Sequence, residues 1–169
     1  MPLGSEAQLP SWRGGTNGNF AAAVYGSILA AGVVASLDVG DVGDVDMTIT
    51  LGGTMLVFYL AHVWAEAIAD RMHDPQPYTF RRLRAVAMWH WPMVQASIAP
   101  LAALALADAQ VWSLDTAVTV ALAISVAQLV TWGIAVGRRT FAGWPAALLS
   151  GAVDGLLGVV LIVLKTLVH

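Results

Sequence analysis

Residues 144–167 read WPAALLSGAVDGLLGVVLIVLKTL, and between Trp144 and Leu164 this run holds one ionisable side chain, Asp154. An α-helix rises about 1.5 Å per residue, so roughly 20 such residues cross a hydrocarbon layer about 30 Å thick. A run this long and this apolar is expected to cross a bilayer. It starts at Trp144-Pro145, with proline placed where a first helical turn has no use for its missing N–H.

Working outward, four more stretches have the same character. They run from about Phe20 to Leu37, from about Met47 to Ala69, somewhere between Ala85 and Ala107, and from about Thr116 to Val136. Asn17 and Asn19 are possible N-caps for the first, and Asp115 is a candidate cap for the fourth. Pro92 disfavours helical geometry at Trp91, which leaves the start of the third open between Ala85 and Pro92, and Pro100 is expected to kink it. The fold class expected is all-α, a polytopic membrane helix bundle of five transmembrane helices. Residues 20–169 form one domain behind a flexible tail, residues 1–19, whose Trp12 is placed to touch headgroups and which lacks the basic start and apolar run of a signal peptide.

Composition agrees with that reading. The 169 residues are 58% hydrophobic and 11% charged, where an ordinary soluble domain carries about 25% charged residues. With no cysteine, disulfides, thiolate metal sites and thiol catalysis are excluded. The net charge of -3 matters less than its arrangement. Arg13, then Arg71, Arg81, Arg82 and Arg84, then Arg138 and Arg139, place seven of the eight bases in alternate linkers. The other linkers hold Asp38, Asp41, Asp44, Asp46, Asp108 and Asp115. Cytoplasmic loops collect Lys and Arg, so the N-terminus is expected inside and the C-terminus outside, with Lys165 snorkelling to the outer headgroups. Trp112 at the outer surface, and Trp89, Trp91, Trp132 and Trp144 at the inner one, fit an aromatic belt. Thr79 to Trp91 suits the inner interface, and Arg81, Arg82 and Arg84 are candidates for anionic lipid, although they also serve as a plain topology signal. Nucleic acid is not an expected partner.

Ionisable groups inside a span are costly to desolvate and so mark candidate sites. With His62 at 0° on the second span, Met55, Thr48, Glu66, Tyr59 and Gly52 fall between roughly +20° and +80°. His62 and Glu66 stand at i and i+4, a spacing at which a proton can be relayed or a cation shared. Asp70 and His73 extend the stripe. The ordinary alternative is a satisfied core histidine, with Glu66 and Asp70 pairing to Arg71 or Arg81. On the fifth span Asp154 is about 15 Å from the inner end, beside a ridge of Ala147, Gly151, Gly155 and Gly158 that lets another helix approach, within the chain or across an oligomer interface. Gln95 and Gln128 reach similar depth as His62 and are candidate partners, or in the packing alternative Gln128 and Ser150 simply satisfy Asp154. His90 lies shallower, on the face of Ser97 and turned away from Gln95. The first span, with Gly26 and Ala30 at small-residue spacing, reads as a packing helix.

The repetitive acidic loop Asp38 to Asp46 lacks the calcium-loop pattern and reads as a solvated turn, or as a cation-concentrating mouth. Phosphate-binding glycine loops, zinc helices, nucleophile elbows, potassium filters and arginine-striped voltage sensors are all missing. The chain resembles a group of small multi-pass bacterial membrane proteins of uncharacterised function. The residues that carry the resemblance are Val24-Tyr25-Gly26-Ser27-Ile28-Leu29, Phe58-Tyr59-Leu60-Ala61-His62 with Glu66, Trp91-Pro92 with Gln95, and the ending Leu164-Lys165 to His169. It implies a multi-pass protein of a bacterial inner membrane and supplies no activity. Three functions remain from the residues themselves. The first is an oligomeric proton or small-cation channel or transporter using Asp154, His62 and Glu66, without a cofactor. The second is a non-catalytic accessory or scaffold subunit. The third is a metal- or haem-binding protein using His62 and His90.

Overall fold

The computed structural model describes residues 19–36, 44–73, 79–141 and 143–168, apart from the side chains of 44–46, 73, 164–166 and 168. These residues form five α-helices: α1 (Phe20–Ser36), α2 (Asp44–His73), α3 (Phe80–Asp108), α4 (Leu114–Thr140) and α5 (Trp144–Val168). No strand occurs among them. The tail, the Asp38–Gly43 part of the acidic loop and His169 lie outside the described residues, as do the side chains of Asp44, Asp46, His73 and Lys165.

Local chemistry sets the helix ends. Asn19 Oδ1 accepts from the Ala22 N–H at 3.0 Å and caps α1. The cap of α4 is Ser113, whose hydroxyl accepts from the Thr116 N–H at 3.3 Å. Asp115, the residue expected there, is in the first turn instead, where its charge still favours the helix dipole. Before α5, Gly143 takes φ +136°, a conformation that L side chains avoid, and Trp144-Pro145 opens the helix as expected. α3 starts at Phe80, ahead of the expected range, and carries Pro92 and Pro100 inside one continuous helix.

Three of the five helices are long and apolar enough to cross a membrane: Met47–Met72, Leu114–Thr140 and Trp144–Val163. Five were expected, and on this criterion two of them, α1 and α3, fall short. α3 opens with arginines, and its apolar run is broken by His90, Pro92 and Gln95. It packs on α1, α2 and α4 and keeps Met88, Trp91, Gln95 and Ile98 exposed. α1 is apolar throughout and falls short by length, its 17 residues rising about 25 Å. It touches all four other helices and buries Ala22, Ala23, Gly26, Ser27, Ala30 and Ala31.

The two outer helices, α2 and α5, show the opposite pattern. Only 28% of the apolar window of α2 and 22% of that of α5 is buried. Leu56, Val57, Leu60 and Trp64 project outward from α2, and Leu149, Val153, Leu156 and Val160 from α5. Apolar patches of this extent on a helical bundle suit hydrocarbon rather than water. Three long apolar helices with such surfaces are consistent with an integral membrane protein.

Consecutive helices alternate in direction, which divides the bundle into two halves. Ala30, Val34, Met47, Leu51, Leu104 and Leu122 belong to an apolar core in the half where α1 ends and α2 begins. The other half holds the candidate polar residues and both clusters of arginine. Close backbone contact occurs at Gly26 on the α1–α3 seam and at Gly133, Gly137 and Gly151 on the α4–α5 seam. A Cβ on Gly26 would collide with the Met93 backbone carbonyl, and one on Gly133 would come within 2.7 Å of the Gly151 Cα. Gly53, by contrast, faces open space. Gly26→Ala and Gly133→Ala are each expected to destabilise by about 1–3 kcal/mol through overpacking. Gly53→Ala should instead be neutral or stabilising by roughly 0.5–1 kcal/mol. Unfolding of the detergent-solubilised variants checks this contrast.

Candidate functional site

Three helices bring their polar rings together. Tyr25 of α1 lies against His62 of α2 with ring centroids 4.8 Å apart, and His62 meets His90 of α3 edge-on at 5.6 Å. Both ring nitrogens of His90 are shut off from solvent, and His62 is partly buried. Tyr59, one turn before His62, donates its hydroxyl to the Ala87 carbonyl at 2.9 Å and packs edge-on against Trp91 at 6.2 Å. The outcome is a row Tyr25–His62–His90 crossing the bundle, held in place by Tyr59.

Toward the arginine end, Glu66 is partly buried and Asp70 faces Arg82, with Oδ2 and Nε 3.9 Å apart. Arg82 was not among the arginines expected here, which were Arg71 and Arg81. Arg71 lies over the Trp64 ring at 5.7 Å. Arg81 and Arg84 are exposed while Arg82 is half-buried, so the expected lipid-binding trio separates into two surface cations and one paired one.

Asp154 stands apart from the histidine row, on the seam of α1, α4 and α5. Its carboxylate covers Gly133, so closely that a Cβ there would lie 2.5 Å from Oδ2. It lines an open groove of about 640 Å³ together with Phe20, Val24, Tyr25, Val136 and Arg139. Tyr25 thus borders both the groove and His62. Arg139 spreads over the Phe20 ring at 4.6 Å, and Phe20 packs edge-on against Trp132 at 5.7 Å.

The other expected partners are elsewhere. Gln95 is exposed. Gln128 has a buried Oε1 without a hydrogen-bond partner among the described residues, so that oxygen makes no bond to Asp154. Ser97 is buried and bonded within its own helix, to the Val94 carbonyl. The α5 ridge is occupied inside the chain: Ala147 meets Gly137, Gly151 meets Ile134 and Val130, Gly155 meets Val130, and Gly158 meets Val126. Of the two alternatives for this ridge, contact within the chain is the one found, and the self-association inferred from it loses that support.

Sequence reasoning missed two residues of this site. Tyr25 was read only as part of a packing helix, and Arg139 only as a topology signal. One signal was available, because Gly133 and Gly137 repeat the small-residue spacing of α5 on α4. Among the described residues no group of three or more His, Asp or Glu side chains is placed to hold a metal ion, so His62 and His90 stand as a pair.

No known protein family matches the sequence, and neither a curated protein nor a solved structure is significantly similar to it. The resemblance to small multi-pass bacterial membrane proteins therefore rests on the quoted motifs alone. The class defined by fold and site is an all-helical bundle, three of whose helices are fit to cross a membrane, with a tyrosine–histidine row running inward from the exposed Tyr25 and a carboxylate in a side groove.

Tyr59→Phe removes the hydroxyl that satisfies part of the α2–α3 seam. A loss of about 0.5–1.5 kcal/mol is expected, the ordinary net worth of such a hydrogen bond. Equilibrium unfolding in detergent measures it, and an unchanged stability would remove Tyr59 from the support of the row.

Proposed function

We propose that this chain is a five-span membrane protein that handles protons or small cations, with the Tyr25–His62–His90 row and Asp154 as its working groups. The observation that carries the proposal is the meeting of three polar rings from three helices at a depth where hydrocarbon penalises them. Imidazole takes up and releases protons near neutral pH, and two imidazoles in contact are a natural transfer pair. Tyr25 borders the Asp154 groove and touches His62, so it links the two groups. Glu66 and Asp70 continue the polar face of α2 toward the arginine end.

In this reading α1 and α3 cross the membrane beside α2, α4 and α5, with α1 in contact with all four other helices. The N-terminus is inside, the C-terminus is outside, and Arg81 and Arg84 rest on anionic lipid headgroups. Assembly into a homo-oligomer, if the protein uses one, takes the exposed faces of α2 or α5, since the glycine ridge is already filled.

The absence of native cysteine makes the crossing of α3 easy to test. Thr79→Cys and Ser113→Cys flank that helix. An impermeant maleimide applied outside intact cells is expected to label Ser113→Cys, and to reach Thr79→Cys only after permeabilisation. Labelling of both from one side would remove the five-span arrangement.

Flux tests the function. Wild-type chain in liposomes is expected to dissipate an imposed pH gradient or cation gradient faster than empty liposomes. His62→Ala should abolish that increment, and Asp154→Asn should reduce it. Wild-type flux equal to that of empty liposomes, or flux indifferent to both substitutions, rules the proposal out and leaves the accessory-subunit reading, for which a stoichiometric partner would copurify from native membranes.

A further inference from the structure

The groove between α1, α4 and α5 has a composition that a proton pathway does not require. Its volume, about 640 Å³, lies in the roughly 300–1,000 Å³ range of small-molecule sites. Phe20, Val24, Ile28 and Val136 give it apolar walls, and it is open along one side. Asp154 supplies a carboxylate, positioned by the missing side chain of Gly133. Arg139 is held at the wall over the Phe20 ring, near the start of α1.

A carboxylate facing an apolar groove at membrane depth is poorly solvated, so it favours either a bound proton or a cation brought to it. A bare inorganic cation needs several oxygen ligands to replace its hydration shell. Beside Asp154 the lining offers two hydroxyls, of Tyr25 and Thr140, and no second carboxylate. An organic cation with a hydrophobic body has no such requirement. It partitions into the bilayer, approaches from the open side, and exchanges lipid contacts for contacts with the walls, while Tyr25 presents an aromatic ring to the charge.

We propose that this groove binds an amphiphilic organic cation, with its charge on Asp154 and its hydrophobic body against Phe20, Val24, Ile28 and Val136. This rests on the reading of Asp154 as an ion-contacting group and names the class of solute that its groove fits. An anionic amphiphile held by Arg139 is the rival occupant.

The test uses the purified full-length chain in detergent and two probes of equal shape and opposite charge, tetraphenylphosphonium and tetraphenylborate, titrated calorimetrically. Saturable binding of tetraphenylphosphonium is expected, with tetraphenylborate at least about tenfold weaker, a difference of roughly 1.4 kcal/mol. Asp154→Asn should weaken the phosphonium by a similar factor, and Val24→Trp should abolish binding by filling the groove. No saturable phosphonium binding by folded wild type overturns the proposal, as does borate binding equal or tighter, or affinity unchanged in either variant. If Asp154→Asn does not fold, as judged by circular dichroism and gel filtration, the charge comparison and Val24→Trp decide the matter. Proton flux without phosphonium binding removes this site and leaves the proton reading. Phosphonium binding without proton or inorganic-cation flux does the reverse.

Discussion

Hydrocarbon cannot solvate a charge or an unpaired polar group, and this constraint organises the whole bundle. Every polar side chain at depth must face protein, another polar group or trapped solvent. The chain meets much of the demand by segregation, with exceptions at Thr48 and Gln128, whose buried oxygens have no hydrogen-bond partner among the described residues, and at the exposed Gln95. One half of the bundle is packed with Ala30, Val34, Met47, Leu51, Leu104 and their neighbours, and the other gathers Tyr25, His62, His90 and Asp154. Hydroxyls in between are satisfied within their own helices: Ser27 donates to the Ala23 carbonyl, Ser125 to that of Ala121, and Thr131 to that of Ala127. They are thereby used up as packing elements, which leaves the rings and the carboxylates as the chemically available groups.

The same constraint accounts for where the five helices stand. α1 is short, apolar and made largely of small residues, a composition well suited to a crowded interior. Its approach to α3 is limited by Gly26 on the Met93 carbonyl, and that proximity carries the Tyr25 ring to His62. The partner seam, α4 on α5, is closed by glycines from both helices, and Gly133 sets the position of Asp154. Backbone proximity at two glycines, more than any hydrogen bond, fixes the geometry of both polar groups. Helix packing in membranes draws little on the hydrophobic effect, because lipid tails are as apolar as the side chains they would replace, so close van der Waals contact has the larger share.

Much of the fold was legible because each helix announces itself by a long apolar run and a terminal signal such as Asn19 or Trp144-Pro145. The number of lipid-fit helices was less legible. A run like that of α3 reads as a span until Arg81, Arg82 and Arg84 are counted into the same helix as His90, Pro92 and Gln95, and only the structure shows that the helix starts at Phe80. The site was legible in part. His62, His90, Tyr59 and Asp154 stand out as polar residues in apolar surroundings, but periodicity on one helix says nothing about which face of another it meets. For that reason Asp154 was matched with Gln128 and Gln95 by depth alone, whereas the structure sets it on Gly133 and beside Tyr25. Depth is a one-dimensional coordinate, and a bundle is a two-dimensional arrangement of helices at each depth.

That distinction also separates the two polar groups as chemistry. The histidine row lies between α1, α2 and α3, whereas Asp154 lies on the seam of α1, α4 and α5. α1 is the element common to both, and Tyr25 is the side chain of α1 that borders both.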